Sequence, residues 1–172
     1  MLASVAVGIY LKIDQVMIKN MLGNEQAGIY AVAVKLSEAW YFIPMLICTS
    51  LSPTIIKAFT ISKELLNNRM KKLYFLMFWL SFFIASATTA LAYPIIKILF
   101  GYQYLGAVTT LQIYVWAGIG ISLYIAVSQY LIASNLTKIS FYNSLLGAAI
   151  NVILNVILIP KMGIKAAAST KI

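Results

Sequence analysis

Four ionisable side chains lie within apolar segments near the start of the chain: Lys12, Asp14, Lys35 and Glu38. A charge at the centre of a membrane-spanning helix costs about 3 kcal/mol on insertion scales, so such a group faces protein, trapped water or a partner charge. Ionisable residues inside membranes usually bind substrate or carry ions. Because histidine is absent, Asp14 and Glu38 are the candidates for a coupling proton or ion.

Helical geometry decides which of these groups can meet. Lys35 and Glu38 are three residues apart and can pair within one helix, which would be a purely structural role. The short turn GNEQAG joins the first two apolar segments, so their outer halves are adjacent. We therefore expect that Asp14 can contact Lys35 and that the pair would neutralise both charges. Lys19 is expected to extend to the outer headgroups.

A second polar pattern runs through NSLLGAAINVILN, where Asn143, Gly147, Asn151 and Asn155 recur every four residues. One interpretation is helix packing, in which small residues allow close approach and asparagines bond across the interface. The alternative is that Asn151 and Asn155 line a hydrophilic cavity and bind a polar substrate. The sequence leaves both interpretations open.

The composition indicates that these residues lie in a membrane. Of the 172 residues, 62% are hydrophobic and 10% are charged, whereas a soluble domain carries about 25% charged residues. In lipid the backbone must satisfy its own hydrogen bonds, which restricts spanning structures to helices and closed barrels. The apolar runs are long and do not alternate, which favours helices.

Five apolar segments predict an all-α, polytopic transmembrane bundle of about five spans, forming a single membrane domain over residues 1–172. The spans are roughly 1–22, 27–56, 73–100, 107–133 and 139–159, and residues 57–72 predict an interfacial cytoplasmic helix. Pro44 predicts a kink in the second span, Pro53 lies near its end, and Pro94 predicts a bend late in the third. Pro160 and Gly163 should end the fifth span.

The basic residues indicate the orientation. The connection over residues 57–72 contains five basic residues against Glu64 alone: Lys57, Lys63, Arg69, Lys71 and Lys72. Basic connections stay on the cytoplasmic side. The turn GNEQAG would then lie outside, although Lys161 and Lys165 would fall outside as well, against the trend. The net charge of +9 therefore indicates membrane topology and does not require a nucleic acid partner.

Several kinds of chemistry are disfavoured by the residues present. The chain has no histidine, four acidic residues and one cysteine, Cys48. Paired carboxylates at metal-ligand spacing and glycine-rich phosphate loops are not found in the sequence. A catalytic function, a metal site, a cofactor and an internal disulfide are therefore not expected.

Three stretches in this order resemble the second half of Wzx-type polysaccharide flippases: IDQVMIKNMLGNEQAGIYAVAVKLSEAWYFIPMLICTSLSPTII, FGYQYLGAV and NVILNVILIPKMGIKAAAST. This family is part of the MATE/MOP superfamily, which includes multidrug exporters and the peptidoglycan lipid flippase. The resemblance implies a twelve-helix protein in which helices seven to eleven match the five spans. The chain is then expected to be a C-terminal half whose N-terminal half is missing. Ala166 stands where the family usually has a second glycine.

The resemblance also implies a function. The family translocates polyprenyl-pyrophosphate-linked oligosaccharide units across the bacterial inner membrane by alternating access, for surface polysaccharides such as O-antigen. The resemblance implies that Lys12, Asp14, Lys35 and Glu38 bind the substrate. The two lysines would attract its anionic headgroup. Membrane lipids and other polysaccharide assembly proteins are further candidate partners. The alternatives are a multidrug or cation antiporter, a membrane enzyme such as a polymerase, and an inactive truncated transporter.

Overall fold

The computed structural model describes residues 14–134, 136, 146–147 and 149–170 with their side chains, and residues 2–13, 137–145 and 148 as helical backbone. Within these residues the chain is helical and has no strand, which confirms the all-α prediction. A 3-10 turn at Tyr102–Tyr104 precedes the fourth helix. The helices are α1 Leu2–Glu38, α2 Phe42–Ile61, α3 Lys63–Phe100, α4 Ala107–Tyr114, α5 Ala117–Ala133, α6 Thr137–Met162 and α7 Ile164–Ser169.

Three helical stretches in the described part of the chain are long and apolar enough to cross a bilayer: Asp14–Ile61, Lys63–Phe100 and Ala107–Ala133. In their most apolar 18 residues, only 22%, 28% and 44% respectively are buried inside the chain. So much exposed apolar surface needs a lipid or protein partner. The chain is therefore a membrane protein, and the count of about five spans stays a prediction.

Two local features divide the Asp14–Ile61 stretch. Gly23 has φ 89° and ψ 175° inside α1, a conformation that favours glycine because it lacks Cβ. This break lies in the predicted turn between the first two spans. The second break, between Glu38 and Phe42, corresponds to the kink predicted from Pro44. Because proline has no N–H, the carbonyl of Trp40 accepts instead from the amide of Ile43 at 3.1 Å.

The predicted interfacial helix over 57–72 is not a separate element. Residues 57–61 end α2, Ser62 is extended with φ −160° and ψ 150°, and residues 63–72 begin the 38-residue α3. The hydroxyl of Ser62 accepts the amide hydrogen of Leu65 at 3.1 Å and so caps α3. No helix boundary lies near residue 72, because lysine and arginine are good helix formers and a run of charge does not end a helix. The start of the membrane span near residue 73 stays a prediction.

The remaining predicted spans also differ in detail. The segment predicted over 107–133 is divided into α4 and α5, because the amide of Trp116 bonds the carbonyl of Ile113 in a tighter turn at 3.3 Å. The bend expected at Pro94 does not end α3, which continues to Phe100. In α6, Pro160 lies inside the last turn and Gly163 ends the helix with φ 64°.

The helices pack around two apolar clusters. The first joins α1, α4, α6, α7 and the C-terminal end of α3, and it includes Ile18, Tyr30 and Ile159. The second joins α2, α3 and α5 and includes Cys48 and Met77. The first cluster encloses the buried polar residues that form the candidate site.

Candidate polar site between α1, α6 and α7

Asp14 is a buried carboxylate between α1 and α6, with 1% of its surface exposed. Asn155 of α6 donates from Nδ2 to Asp14 Oδ1 at 2.7 Å, across 141 positions of sequence. A hydrogen bond to an ionised carboxylate is short and about twice as strong as one between neutral groups. This contact therefore ties the first helix of the chain to the sixth.

Asn155 also connects Asp14 to α7. Its Nδ2 donates to Asn151 Oδ1 at 3.2 Å, and its Oδ1 accepts from the hydroxyl of Thr170 at 2.7 Å. Asn151 Nδ2 in turn donates to the backbone carbonyl of Thr170 at 3.2 Å. Asp14, Asn151, Asn155 and Thr170 form one hydrogen-bonded group, which we call the Asp14 cluster.

The hydrogen bonds of the Asp14 cluster help to choose between helix packing and substrate binding as the role of the four-residue repeat of Asn143, Gly147, Asn151 and Asn155. Asn151 and Asn155 are 3% and 0% exposed, and the amide N–H groups of both bond to protein. An amide has two N–H donors, so neither residue keeps one for a sugar. The geometry favours the packing interpretation over direct substrate binding. Nearer the start of α6, Gly147 of the same repeat is exposed, and the side chain of Asn143 lies outside the described residues.

The Asp14 cluster also has the ligands that a hard cation requires. A carboxylate, two amide oxygens, a hydroxyl and the carbonyl of Thr170 lie on three helices. Such cations bind oxygen ligands of these types. Rotating an asparagine amide by half a turn exchanges its oxygen for its nitrogen, which would point Asn151 and Asn155 oxygens at the ion. A small cation such as Na⁺ would thus find oxygen ligands here with both amides rotated.

A second carboxylate lies at the end of α1. Glu38 is exposed, and its Oε1 accepts a hydrogen bond from the hydroxyl of Tyr114 at 3.2 Å. The Tyr114 ring packs edge-on against Tyr30, with ring centroids 6.1 Å apart. Tyr30 lies within electrostatic range of both Asp14 and Glu38. Two buried phenols thus lie between an exposed acid and a buried acid.

Sequence reasoning did not identify Tyr30 and Tyr114. The chain has 11 tyrosines, and a tyrosine in an apolar run is more often a core or boundary residue. Only the packing of α1 against α4 distinguishes Tyr30 and Tyr114 from the other tyrosines. Thr170 was missed as well, because α7 begins only at Ile164 and its register against α6 depends on the turn at Gly163.

Of the two candidate lysines, the structure describes the side chain of Lys35. Lys35 is exposed, and among the described residues it forms no ion pair within 4.0 Å with Asp14 or Glu38. The expected Asp14–Lys35 contact is wrong because Val34 faces the core and the next residue is turned by about 100° around the helix. The side chain of Lys12 lies outside the described residues.

The site is therefore a buried acid held by α6 and α7, with a row of phenols leading to an exposed acid. In the part of the chain whose side chains are described, no group of three or more histidine, cysteine, aspartate or glutamate residues could hold a metal. Comparisons of the chain with protein-family models, curated proteins and solved structures find no match.

Proposed function

We propose that this chain is part of a cation-coupled transporter that moves a polyprenyl-pyrophosphate-linked oligosaccharide across the bacterial cytoplasmic membrane. The observation that carries the proposal is the environment of Asp14. It is 1% exposed, lies in a stretch apolar enough to cross a bilayer, and is held by side chains of α6 and α7. Acids placed so deep usually mark ion or substrate pathways.

Coupling would begin at the Asp14 cluster. A bound cation neutralises the carboxylate and adds ligands from α1, α6 and α7, so it stabilises the arrangement in which these helices are close. When the cation leaves, an N–H of Asn155 holds the carboxylate instead. An ion shifts a conformational equilibrium only by its difference in affinity between the two states. Contacts to three helices provide that difference.

The route to the ion site would pass Glu38. This acid is exposed, bonds Tyr114 at 3.2 Å, and is connected to the Asp14 region through the packed rings of Tyr114 and Tyr30. Glu38 would attract the cation at the exposed end of this route. The two acids thus take different roles, one as an entry group and one as the binding group.

The substrate class follows from the sequence resemblance and from charge. Lys35 is exposed one turn before Glu38, and lysine is a common phosphate ligand. Together with Lys12 it would attract the pyrophosphate of the carrier lipid. On this proposal the chain crosses the membrane about five times and forms the C-terminal half of a twelve-helix protein, opposite an N-terminal half.

Transport by the purified protein tests the proposal. The full-length protein that contains this chain is reconstituted in liposomes with a fluorescent lipid-linked oligosaccharide, and its transfer between leaflets is followed by quenching from outside. We expect transfer that depends on a cation gradient and falls at least about tenfold in Asp14→Asn, a loss of about 1.4 kcal/mol. Glu25→Gln, in the exposed turn, is the matched control.

A second candidate function is an antiporter of cationic drugs, which the buried Asp14 also favours because it can hold an organic cation. Transport of ethidium, with no transfer of the oligosaccharide lipid, would replace the flippase proposal by this one. Unchanged transfer in Asp14→Asn would remove Asp14 from the coupling mechanism. Failure of a well-folded protein to transport either substrate would support the inactive alternative.

A further inference from the structure

The hairpin formed by α2 and α3 extends beyond the hydrocarbon core. With 38 residues, α3 is about 57 Å long at about 1.5 Å per residue, whereas the core of a bilayer is about 30 Å thick. Residues 73–96 contain no charged side chain, whereas residues 63–72 contain four basic ones. The membrane boundary therefore lies near Lys72, and the tip of the hairpin at Ser62 projects into the headgroups or beyond.

A groove of about 210 Å³ opens between α2 and α3 at this boundary. Ile55 and Leu73, which are 2% and 3% exposed, form its floor. The polar residues of the groove lie closer to the hairpin tip at Ser62, and its apolar residues lie further from the tip, towards the hydrocarbon core. The lining includes Thr54, Arg69 and Lys72 at the polar end and Leu51 and Leu76 at the apolar end.

The polar end of the groove is built for an anion. Arg69 donates from Nη1 to the backbone carbonyl of Thr54 at 2.7 Å, which fixes the guanidinium across the two helices. A guanidinium has five N–H donors, so this bond leaves four for another partner, and Arg69 lines the groove. Lys72 lies three residues further on α3, on the same face. The lining contains two cations and no carboxylate, and arginine binds phosphate through two parallel bonds.

We propose that this groove binds one anionic glycerophospholipid of the cytoplasmic leaflet. Its phosphate contacts Arg69 and Lys72, and the start of one acyl chain lies along Leu51 and Leu76. At about 30 Å³ for each water-sized group, the groove has room for about seven such groups, which suits a phosphate with a few carbons. The rest of the chain lies against exposed apolar surface, since Leu51 and Leu76 are 36% and 44% exposed.

The position agrees with this occupant. Basic pockets between transmembrane helices on the cytoplasmic side are typical sites for anionic lipid headgroups. At the hairpin tip, Phe59 and Ile61 are 44% and 70% exposed, as expected for a segment embedded among headgroups. A lipid bound across α2 and α3 would hold the hairpin together where Ser62 interrupts the helix. This proposal depends on the membrane placement and not on the transported substrate.

Retention of lipid by the full-length protein tests the site. The protein is placed in phosphatidylcholine nanodiscs with increasing phosphatidylglycerol, and bound lipids are counted by native mass spectrometry. We expect one phosphatidylglycerol to be retained, and an affinity at least about tenfold lower in the double variant R69Q/K72Q. The control variant K63Q/K71Q removes the same charge from exposed positions outside the groove and should stay within about twofold.

A second variant tests the groove itself. Leu76→Trp keeps both cations but fills the apolar end, so it should also release the lipid. If circular dichroism shows that R69Q/K72Q is unfolded, lipid retention by Leu76→Trp tests the groove in its place. Equal losses in R69Q/K72Q and K63Q/K71Q would show general surface attraction and overturn the proposal. Displacement by farnesyl pyrophosphate or by inorganic phosphate would assign the groove to the carrier lipid or to a free anion instead, and would overturn it too.

Discussion

Asn155 is the residue on which the polar site depends most. Its amide group donates to Asp14 and Asn151 and accepts from Thr170, and the side chain is fully buried. When both the nitrogen and the oxygen of an amide group are hydrogen-bonded, the side chain is held in one orientation, and so are its partners. Asn155 therefore helps to fix the Asp14 carboxylate from α6, although Asp14 itself belongs to α1.

Replacing Asn155 by alanine should destabilise the protein. The change removes bonds to three buried or part-buried groups, and a buried polar group that loses its partner costs about 1–3 kcal/mol. We expect a lower unfolding temperature in detergent, measured by tryptophan fluorescence. The control is Asn68→Ala, at an exposed position of α3, which should change the unfolding temperature little. Similar unfolding temperatures for both variants would show that the Asp14 cluster contributes no stability.

The residues of the Asp14 cluster could be predicted only one by one. Asp14 is notable as an acid in an apolar run, and Asn151 and Asn155 as part of a four-residue repeat. Their contact joins positions 141 apart, and local spacing does not encode such a distance. Thr170 and the two tyrosines required the packed helices, because their types are common in membrane segments.

At the scale of elements, two breaks divide the first helical stretch into three segments, of which the first two share the same apolar cluster. The breaks at Gly23 and before Pro44 follow from residues that alter backbone geometry, and the sequence therefore predicted both. The basic first turns of α3 are as helical as the apolar part that follows, so the charged run does not mark a helix end. The charge pattern predicts a membrane boundary near Lys72, but it did not locate the helix break at Ser62.

Gly23 and Gly28 make a matched pair for testing the first break. A Cβ at either position meets nothing within 4 Å, but Gly23 has φ +89°. We expect Gly23→Ala to lower the free energy of unfolding by about 1–2 kcal/mol, because an L-residue is strained in that conformation. Gly28 is helical, so Gly28→Ala should raise it by about 0.5–1 kcal/mol.

Denaturant unfolding in detergent micelles measures both variants. Effects of opposite sign would show that the backbone conformation at Gly23, and not the loss of a glycine as such, accounts for the difference. If both alanine variants were stabilised, Gly23 would continue a regular helix and the first two segments would not be separate.

At the scale of the whole molecule, the chain is arranged as two packed groups of helices with a large apolar exterior. The group of α1, α4, α6 and α7 carries the polar site, and the group of α2, α3 and α5 carries the lipid groove. The two groups are joined by α3, whose Ala92 and Ile96 are buried in the first cluster. Ser81 and Ser122 bond at 2.7 Å and tie α3 to α5 within the second group. Composition predicted the helical membrane class, but the sequence did not predict this division because both groups mix early and late segments.

Cysteine labelling tests the orientation. Cys48 is fully buried, with Sγ 3.8 Å from Met77 Sδ, so the native thiol should stay unlabelled. A membrane-impermeant maleimide should label Asn24→Cys in intact cells and Lys71→Cys only after the membrane is opened, because the basic hairpin stays in the cytoplasm. The reverse pattern would invert the topology and move the lipid groove to the opposite leaflet.

The bond between Asp14 and Asn155 sets a constraint on biosynthesis. Ribosomes add about 5–20 residues per second, so the 141 positions between the two residues take about 7–28 s to synthesise. During that interval Asp14 has entered the insertion machinery while Asn155 and Thr170 do not yet exist. Ribosome stalling before residue 155 should therefore expose this first segment to membrane quality-control proteases.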